Sequence, residues 1–440
     1  MLKKCFLVIV LIMIIIPIMF FNYEKDSVSI VDNRMLTELT DFKMNTVNQY
    51  INDRIGFREE AIEVYNDLNE KIFNVSTNPQ LMIGEEGNLY PKISSIETFN
   101  DYHHNLLKTI KRIQNYCEDR DIDFYYMVNP SKTTIMLNEL PKGIKYNTNW
   151  LNDFVLEAQE LGINLVDNYH YFKELESDGY LYNKKYDTYH WNDYGAFLGI
   201  NNLLKLMNLP VNRLEDFDIE RDLDVKNDKV YNFDAKNKPF TYTNKYKDGL
   251  IMADDFKEFL YYTQNNNGPK LLSFEGSYLL TNDRTEKFIA NHFSETVAVH
   301  DYQNIFNINY YLNIFDPDIV LFEMADYTFQ EYYFSQYYME TIELQPLLNL
   351  EITDIFNQEG RLQYIKEING EYVNYIIKKP VDCFDYKYLL VGDKIYDLYT
   401  YDNENIALTI LLKNDININS ARVITKKANA NFGLAYSLFQ

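Results

Sequence analysis

The sequence predicts an α/β fold, in which a parallel sheet carries helices on both faces and a small β-rich domain follows it. Three observations lead to this prediction. Strand-like apolar runs alternate with amphipathic helical segments from residue 97 to residue 345, the run at 319–322 is apolar throughout, and short β-like runs occupy residues 350–440. With 440 residues, the chain is long enough for two or three domains and a sizeable core.

The elements follow in order. Residues 41–75 have apolar side chains at helical spacing and no proline, which predicts a helix. Glycines at the centre of 82–90 predict a short hairpin. The α/β alternation then predicts a helix over 97–120, a strand over 122–128, a helix over 149–161, a strand over 163–166 and a helix over 194–207.

The segment 210–265 is rich in Asp, Asn and Lys and is less regular than the segments on either side. It is interpreted as excursions between two halves of one domain. Regular patterns then predict strands over 270–274, 296–299 and 319–322, a helix that contains Phe288 and Ile289, and a last helix over 328–345. The predicted domains are a membrane anchor over 1–22, a helical and hairpin lead-in over 23–95, an α/β domain over 96–346 and a β domain over 347–440.

The N-terminus predicts where the protein resides. Lys3 and Lys4 precede seventeen uncharged residues, 5–21, which is close to the shortest helix that can span a bilayer. Because flanking lysines stay in the cytoplasm, we expect a single-pass anchor in the cell membrane with the body of the protein outside. Cleavage as a signal peptide is the alternative, with Ser27-Val-Ser29 as a small-x-small cleavage site.

Composition excludes some functions. A net charge of −23 disfavours nucleic acid as a partner, because phosphate binding needs clustered Lys and Arg. The 39 tyrosines are interpreted as compositional bias, with a sugar-stacking surface as the alternative. Cys117 and Cys383 can form at most one disulfide outside the membrane, and nothing in the sequence requires it. No Cys/His cluster has zinc-ligand spacing, so neither a metal nor a cofactor is predicted.

Three residues supply the parts of an acyl-transfer site. Ser277 follows a glycine directly after the strand 270–274, where a parallel sheet presents reactive groups. Asp187 and His190 stand three residues apart, so that a carboxylate can orient an imidazole that takes the serine proton. A helix N-cap is the alternative for Ser277, and a turn hydrogen bond is the alternative for Asp187.

Other polar residues near the same sheet edge are candidates for binding. Asn129 and Lys132 end the strand 122–128, and Tyr278 follows the serine. We predict that these three bind substrate or the oxyanion. A turn residue and a solvated lysine are the alternative for Asn129 and Lys132. Trp191 is expected to pack beneath the loop that carries His190.

Several motifs, taken in order, resemble the AlgX/AlgJ-type SGNH-hydrolase-like proteins and the related DHHW group, which serve in O-acetylation of exported polysaccharides. The resemblance covers about residues 30–345, and Asp–His precedes Ser as in that group. Most members have one residue between Asp and His, whereas this chain has two. The motifs are Asn33-Arg34, 52–58, 83–90, Pro130-Ser-Lys132, Asp187 to Ala196, Gly276-Ser-Tyr278 and 316–321.

The resemblance implies an SGNH-like (flavodoxin-like) fold and an O-acetyltransferase. Ser277 would be the nucleophile, His190 the general base and Asp187 its orienting partner. A membrane-bound O-acyltransferase would supply the acetyl group, and a cell-surface polysaccharide or glycopolymer would receive it. A carbohydrate esterase with the same triad and a non-catalytic glycan-binding or assembly protein are the alternatives.

Overall fold

The structure is a computed structural model. The chain forms two compact units. The first comprises Met1–Lys92 and Glu139–Gly143, and the second comprises Ile93–Asn138 and Ile144–Gln440. The structure describes residues 2–23, 28–29, 34–40, 42–73, 76–78, 80–92, 98–144, 146–175, 181–225, 228–236, 241–243, 259–263, 267–279, 285–300, 302–349, 354–369, 372–400 and 407–440. Ser27 of the predicted cleavage site, Asn33 of the first motif and residues 244–258 of the predicted excursions lie outside the described residues.

The first unit contains three α-helices and two short antiparallel strand pairs among its described residues. These are α1 (Leu2–Met19), β1 (Val28–Ser29), β2 (Arg34–Met35), α2 (Met44–Arg54), α3 (Arg58–Phe73), β3 (Leu81–Ile83) and β4 (Leu89–Pro91). The pair β3–β4 is the predicted hairpin, and Gly87 adopts a φ of 77° at its turn. Within the described part of the chain, no helix has both the length and the apolar character needed to cross a bilayer. The predicted anchor therefore stays a prediction.

The helix predicted over 41–75 is wrong as a single element, because it is broken between α2 and α3. Phe57 at the break has a φ of 59°, outside the helical region. The amide of Gly56 donates to the Pro17 carbonyl at 3.0 Å. A Cβ at Gly56 would lie 2.5 Å from the Phe20 carbonyl oxygen, so the chain turns here against the end of α1.

The second unit begins with an α/β region. Its elements are α4 (Asp101–Glu118), β5 (Asp123–Asn129), α5 (Lys132–Ile135), α6 (Asn149–Glu160), β6 (Leu165–Asp167), α7 (Asn168–Glu174), α8 (Asp193–Leu206), β7 (Phe217–Val225), β8 (Asp228–Ala235), β9 (Thr241–Thr243), β10 (Phe259–Thr263), β11 (Lys270–Glu275), α9 (Glu286–Ile289), β12 (Glu295–His300), α10 (Ile308–Phe315), β13 (Ile319–Ala325) and α11 (Gln336–Thr341). The predicted α/β alternation is present in this region.

The central sheet has seven strands in the order β6-β5-β13-β11-β12-β10-β9. The first five are parallel, with Phe274 opposite Phe322 and Ala325 opposite Asn129. Every residue of β13 is buried, as the apolar run at 319–322 predicted. Burying one Leu, Val or Phe side chain stabilises the fold by about 1.5–3 kcal/mol, so this strand contributes much of the core.

Two predictions for the α/β region need correction. The segment 210–265 is not wholly irregular: β7 and β8 form an antiparallel pair, and β9 and β10 extend the central sheet with antiparallel strands. The last helix is shorter than 328–345. A 3₁₀ turn over Asp326–Thr328 comes first, and only α11 is α-helical after it.

The C-terminal part is a β domain, as predicted. Its strands are β14 (Ile355–Asn369), β15 (Tyr372–Lys378), β16 (Tyr386–Val391), β17 (Lys394–Asp397), β18 (Tyr399–Thr400), β19 (Ala407–Lys413), β20 (Arg422–Lys426) and β21 (Gly433–Phe439). They form one eight-stranded sheet with its own apolar cluster, which includes Ile377, Leu408 and Val423. The residues at which the predicted domains begin and end stay predictions.

A largely buried ion pair links this β domain to the α/β region. The Arg120 guanidinium, just after α4, lies 2.7 Å from the Asp397 carboxylate at the end of β17. The Tyr116 hydroxyl also donates to Asp397, and Arg120 stacks on the Tyr116 ring at 3.7 Å. Burial raises the pKa of Asp397, whereas Arg120 lowers it. Removing one partner would leave the other charge largely buried and uncompensated, which is expected to destabilise the fold.

Candidate active site

The candidate site lies at the carboxyl ends of the parallel strands. Gly276 and Ser277 follow β11 directly, and Asp326 and Tyr327 follow the neighbouring β13. Because neighbouring parallel strands end at the same sheet edge, segments that are distant in sequence meet there. This is the edge that the sequence predicted for the reactive groups.

A loop before α8 brings the imidazole to this edge. The Asn192 side chain caps α8 by accepting from the amides of Tyr194 and Gly195, both at 3.0 Å. The Asn192 amide in turn donates to the Leu181 carbonyl at 2.9 Å, which closes the loop. A Cβ at position 195 would lie 2.6 Å from that carbonyl oxygen, so glycine is required for this close approach.

Asp187, His190 and Ser277 form a continuous hydrogen-bonded relay. The Ser277 Oγ lies 2.7 Å from the His190 Nε2. The other ring nitrogen, Nδ1, lies 2.9 Å from the Asp187 Oδ2. About a fifth of each of the His190 and Asp187 side chains is exposed, so the relay is partly open to solvent. The structure therefore brings together the three residues that the sequence selected.

Asp187 is held as a carboxylate. Burial raises the pKa of its carboxyl, but the His190 side chain and the amides of Tyr189 and His190 donate to it and lower that pKa from 3.8 to about 2. The two amides lie 2.9 and 3.0 Å from the Asp187 Oδ1. A fixed carboxylate selects the imidazole tautomer with a proton on Nδ1, which leaves Nε2 free to accept the serine proton.

Tyr327 makes a contact that the sequence analysis missed. Its hydroxyl lies 3.0 Å from the Ser277 Oγ and 3.5 Å from the His190 Nε2. Burial raises the pKa of the Tyr327 phenol, although the Ser277 contact lowers it, so the group stays protonated at neutral pH. With the serine proton directed at His190, Tyr327 donates to the Ser277 oxygen. Tyr327 lies two residues after the carboxyl end of β13. This position was the signal that could have identified it.

A chain of hydrogen-bonded side chains, buried except for the half-buried Asn202, supports the backbone before the serine. The Asn202 Nδ2 donates to the Asn168 Oδ1 at 3.0 Å, and the Asn168 Nδ2 donates to the Asn129 Oδ1 at 2.8 Å. The Asn129 Nδ2 donates to the Glu323 Oε1 at 3.0 Å. The other carboxyl oxygen, Oε2, accepts from the Gly276 amide at 2.7 Å. Glu323 thus fixes the residue that immediately precedes Ser277.

Glu323 gives this chain a pH dependence. Burial raises the pKa of its carboxyl from 4.5 to about 7, although the donors from Asn129 and Gly276 lower it. The folded state holds the Glu323 proton more tightly than the unfolded state does. The contribution of protonated Glu323 to the free energy of unfolding is therefore fully present below about pH 4.5 and is lost as the pH rises through about 7. The loss amounts to on the order of 3 kcal/mol.

We therefore expect Glu323→Gln to flatten the pH dependence of the free energy of unfolding between about pH 5 and about pH 8. Urea denaturation across this range measures it. Glu340→Gln, at an exposed carboxylate, is the matched control and should leave the dependence unchanged. An unchanged slope in Glu323→Gln would mean that another group titrates there.

The three further predicted residues lie beneath the relay. Lys132 is fully buried, and its Nζ donates to the Lys184 carbonyl at 2.7 Å, so the alternative of a solvated lysine is wrong. The Tyr278 hydroxyl lies 2.7 Å from the Tyr189 carbonyl and 3.0 Å from that of Pro130. Asn129 contacts Glu323, as described above. A direct contact of these residues with substrate or an oxyanion stays a prediction.

The packing around the relay is aromatic. Trp191 is buried beneath the loop, as expected, and its indole N–H donates to the Tyr278 carbonyl at 3.1 Å. The Tyr278 ring meets the His190 ring edge-on at 5.0 Å.

Cys117 and Cys383 are free thiols. Among the described residues, no group of three His, Cys, Asp or Glu side chains is placed to hold a metal ion.

Comparisons with known proteins add the following. No protein-family model matches the chain, and no curated protein matches it significantly. Solved structures do resemble it. They include Bacillus cereus PatB1 (17% identity, TM-score 0.42, 55% of this chain and 94% of that chain), a DHHW family protein from Eubacterium siraeum (16%, 0.42, 61% and 100%) and the O-acetyltransferase domain of Pseudomonas putida AlgJ (12%, 0.40, 60% and 99%). These matches include both groups that the sequence motifs resemble.

Proposed function

We propose that this protein is a serine O-acyltransferase with an SGNH-like fold, which moves an acetyl group through Ser277 to a hydroxyl of a surface polysaccharide. The observation that carries the proposal is the relay itself. A serine oxygen 2.7 Å from an imidazole nitrogen, with a carboxylate 2.9 Å from the other nitrogen, is the arrangement that activates a hydroxyl nucleophile.

In the first half-reaction, the Ser277 Oγ attacks the carbonyl carbon of an acetyl ester donor, and its proton passes to the His190 Nε2. The tetrahedral oxyanion then collapses, the donor C–O bond breaks, and His190 returns the proton to the leaving alcohol. Asp187 stabilises the imidazolium that forms between these two transfers. The product is an acetyl ester on Ser277.

In the second half-reaction, His190 takes the proton of an acceptor hydroxyl, whose oxygen attacks the acetyl carbonyl. The Ser277 C–O bond breaks, and the serine recovers its proton from His190. If water attacks instead of a sugar hydroxyl, the same residues give an esterase. The choice between transfer and hydrolysis is therefore made by acceptor binding and not by the relay.

The proposal includes a location and partners. The N-terminal segment 1–22 would hold the protein at the cell membrane, with the α/β region outside the cell. A membrane-bound O-acyltransferase would deliver the acetyl group to Ser277, and a polysaccharide would receive it. The net charge of −23 supports a partner other than nucleic acid.

Product analysis tests transfer against hydrolysis. The full-length protein in detergent would be given an activated acetyl ester with and without oligosaccharide acceptors. We expect O-acetylated sugar to form and the yield of free acetate to fall as the acceptor concentration rises. Acetate as the sole product with every acceptor would instead identify an esterase. No turnover of the ester under any condition would favour a non-catalytic glycan-binding or assembly protein.

Tyr327→Phe should slow acylation by roughly 10- to 100-fold, because one hydrogen bond to the reacting oxygen is lost while the ring remains. The rate of the initial burst with an activated ester measures this effect, which should lie in kcat more than in KM. Tyr337→Phe removes an exposed hydroxyl from α11 and is the matched control. Equal burst rates for Tyr327→Phe and wild type would exclude a role for this phenol.

A further inference from the structure

A row of tyrosines leads away from the candidate site. It consists of Tyr327, Tyr189, Tyr333 and Tyr332, and we call it the tyrosine row. The Tyr327 hydroxyl contacts Ser277, and the Tyr327 ring lies 5.1 Å from the Tyr189 ring. The Tyr332 ring lies 5.1 Å from the Tyr333 ring. Tyr332 and Tyr333 belong to the segment that follows Tyr327 in the chain, and after burial the Tyr333 phenol is the next cause that raises the pKa of Tyr189.

The members of the row differ in exposure. Tyr327, Tyr189 and Tyr333 are half-buried, whereas 84% of Tyr332 is exposed. Large exposed aromatic side chains that continue from a reactive centre mark a surface for binding. A tyrosine ring also offers a flat apolar face and a polar hydroxyl at low cost in side-chain entropy.

The segment beneath the row is firmly packed. Phe329 and Phe334, on either side of Tyr332 and Tyr333, are almost completely buried. The Phe334 ring packs on the Phe322 ring of β13 at 5.8 Å, and the Phe334 carbonyl accepts from the Tyr102 hydroxyl at 3.0 Å. Tyr332 and Tyr333 are therefore presented by a backbone that needs little reorganisation on binding.

The charges nearby restrict what can bind. Residues 325–341 contain no Lys, Arg or His, but they contain the exposed carboxylates Glu331 and Glu340. The Asp187 carboxylate adds a negative charge at the relay itself. Lys184 and Lys185, on the loop before Asp187, are the cations of this loop. A polymer of carboxylated or phosphorylated sugars would meet mostly like charge along the row.

We propose that the tyrosine row is the acceptor subsite and that it holds an uncharged glycan by stacking of sugar rings on Tyr189, Tyr333 and Tyr332. The apolar C–H face of a pyranose ring packs on an aromatic face, while its hydroxyls remain solvated or bond to the phenols. One sugar hydroxyl then lies beside Ser277. This inference rests on the proposed transfer to a glycan and adds the chemical class of that glycan.

Binding is measured on the full-length Ser277→Ala variant, so that the outcome does not depend on catalysis. The probes are neutral oligomers of glucose and of N-acetylglucosamine, with oligogalacturonate of equal length as the anionic probe. We expect a neutral oligomer to bind more tightly than oligogalacturonate. Adding Tyr332→Ala should weaken this binding roughly three- to tenfold, whereas adding Tyr332→Phe should preserve it.

Tyr65→Ala, at an exposed tyrosine of α3, is the matched control and should bind as the parent does. The inference is overturned if no neutral oligomer binds, if oligogalacturonate binds more tightly, or if Tyr332→Ala binds like Tyr65→Ala. Failure of the acyl-transfer proposal would show separately, as a lack of acetylated product from the protein that retains Ser277.

Discussion

Replacing Ser277 with alanine is expected to lower acetyl transfer by at least about 10⁴-fold, because the change removes the oxygen that forms the covalent intermediate. The residual rate would come from binding and from hydrogen-bond donors around the reacting carbonyl. Steady-state turnover of an activated acetyl ester, with and without an oligosaccharide acceptor, measures the loss. The fold should tolerate the substitution, since Ser277 is only half-buried.

Ser437→Ala is the control for this experiment. Ser437 is an exposed serine on β21, in the C-terminal sheet, and its loss should leave turnover unchanged. Wild-type turnover by Ser277→Ala would show that the hydroxyl at the sheet edge is not the nucleophile.

Replacing His190 with alanine should cost about as much as the loss of Ser277, because the serine then has no base 2.7 Å away to accept its proton. Asp187→Asn should cost about 10³- to 10⁴-fold, since the amide can support the wrong imidazole tautomer. The double variant Ser277→Ala/His190→Ala should be barely slower than either single variant, because the two residues act as one unit.

The chain provides a matched control for His190. Asp167 and His170 have the same spacing, and the His170 Nδ1 lies 2.6 Å from the Asp167 Oδ2. Asp167 also accepts from the His170 amide at 3.0 Å, as Asp187 does from that of His190. We expect His170→Ala to leave turnover unchanged. Equal losses in His170→Ala and His190→Ala would indicate a structural effect of either histidine instead of catalysis by one.

These two Asp-x-x-His pairs show what the sequence could and could not predict. Both give the same local geometry, because the aspartate accepts from the amide three residues later in each case. Only the contact of His190 with Ser277, which lies 87 residues further along the chain, distinguishes the candidate site from a helix cap. The neighbours of His190 and the ordered motifs identified it as the candidate base, and the structure brings that histidine to the serine.

Contacts between residues on neighbouring strands could not be predicted from the sequence. Tyr327 and Glu323 reach Ser277 and Gly276 because β13 lies beside β11 with a definite register. Neither residue has a neighbour in the chain that would reveal this contact. The signal was positional: both lie at or near the carboxyl end of a buried strand.

The errors in secondary structure have physical causes. β9, at the edge of the sheet, and its neighbour β10 have three and five residues, too few for a clear alternating pattern. In the segment before α11, aromatic residues recur at intervals that also occur in a helix. The segment is not α-helical, and Phe329 and Phe334 are buried within it. The break between α2 and α3 depends on a close approach of Gly56 to α1, which no pattern within residues 41–75 encodes.

The most direct test is to locate the acetyl group on the enzyme. Full-length protein is mixed with an activated acetyl ester, quenched rapidly in acid and digested, and the peptides are analysed by mass spectrometry. We expect one acetyl group on Ser277, lost when an accepted glycan is added before the quench and absent from Ser277→Ala. An acetyl group on another residue, or none at any time while the ester is being consumed, would contradict the account.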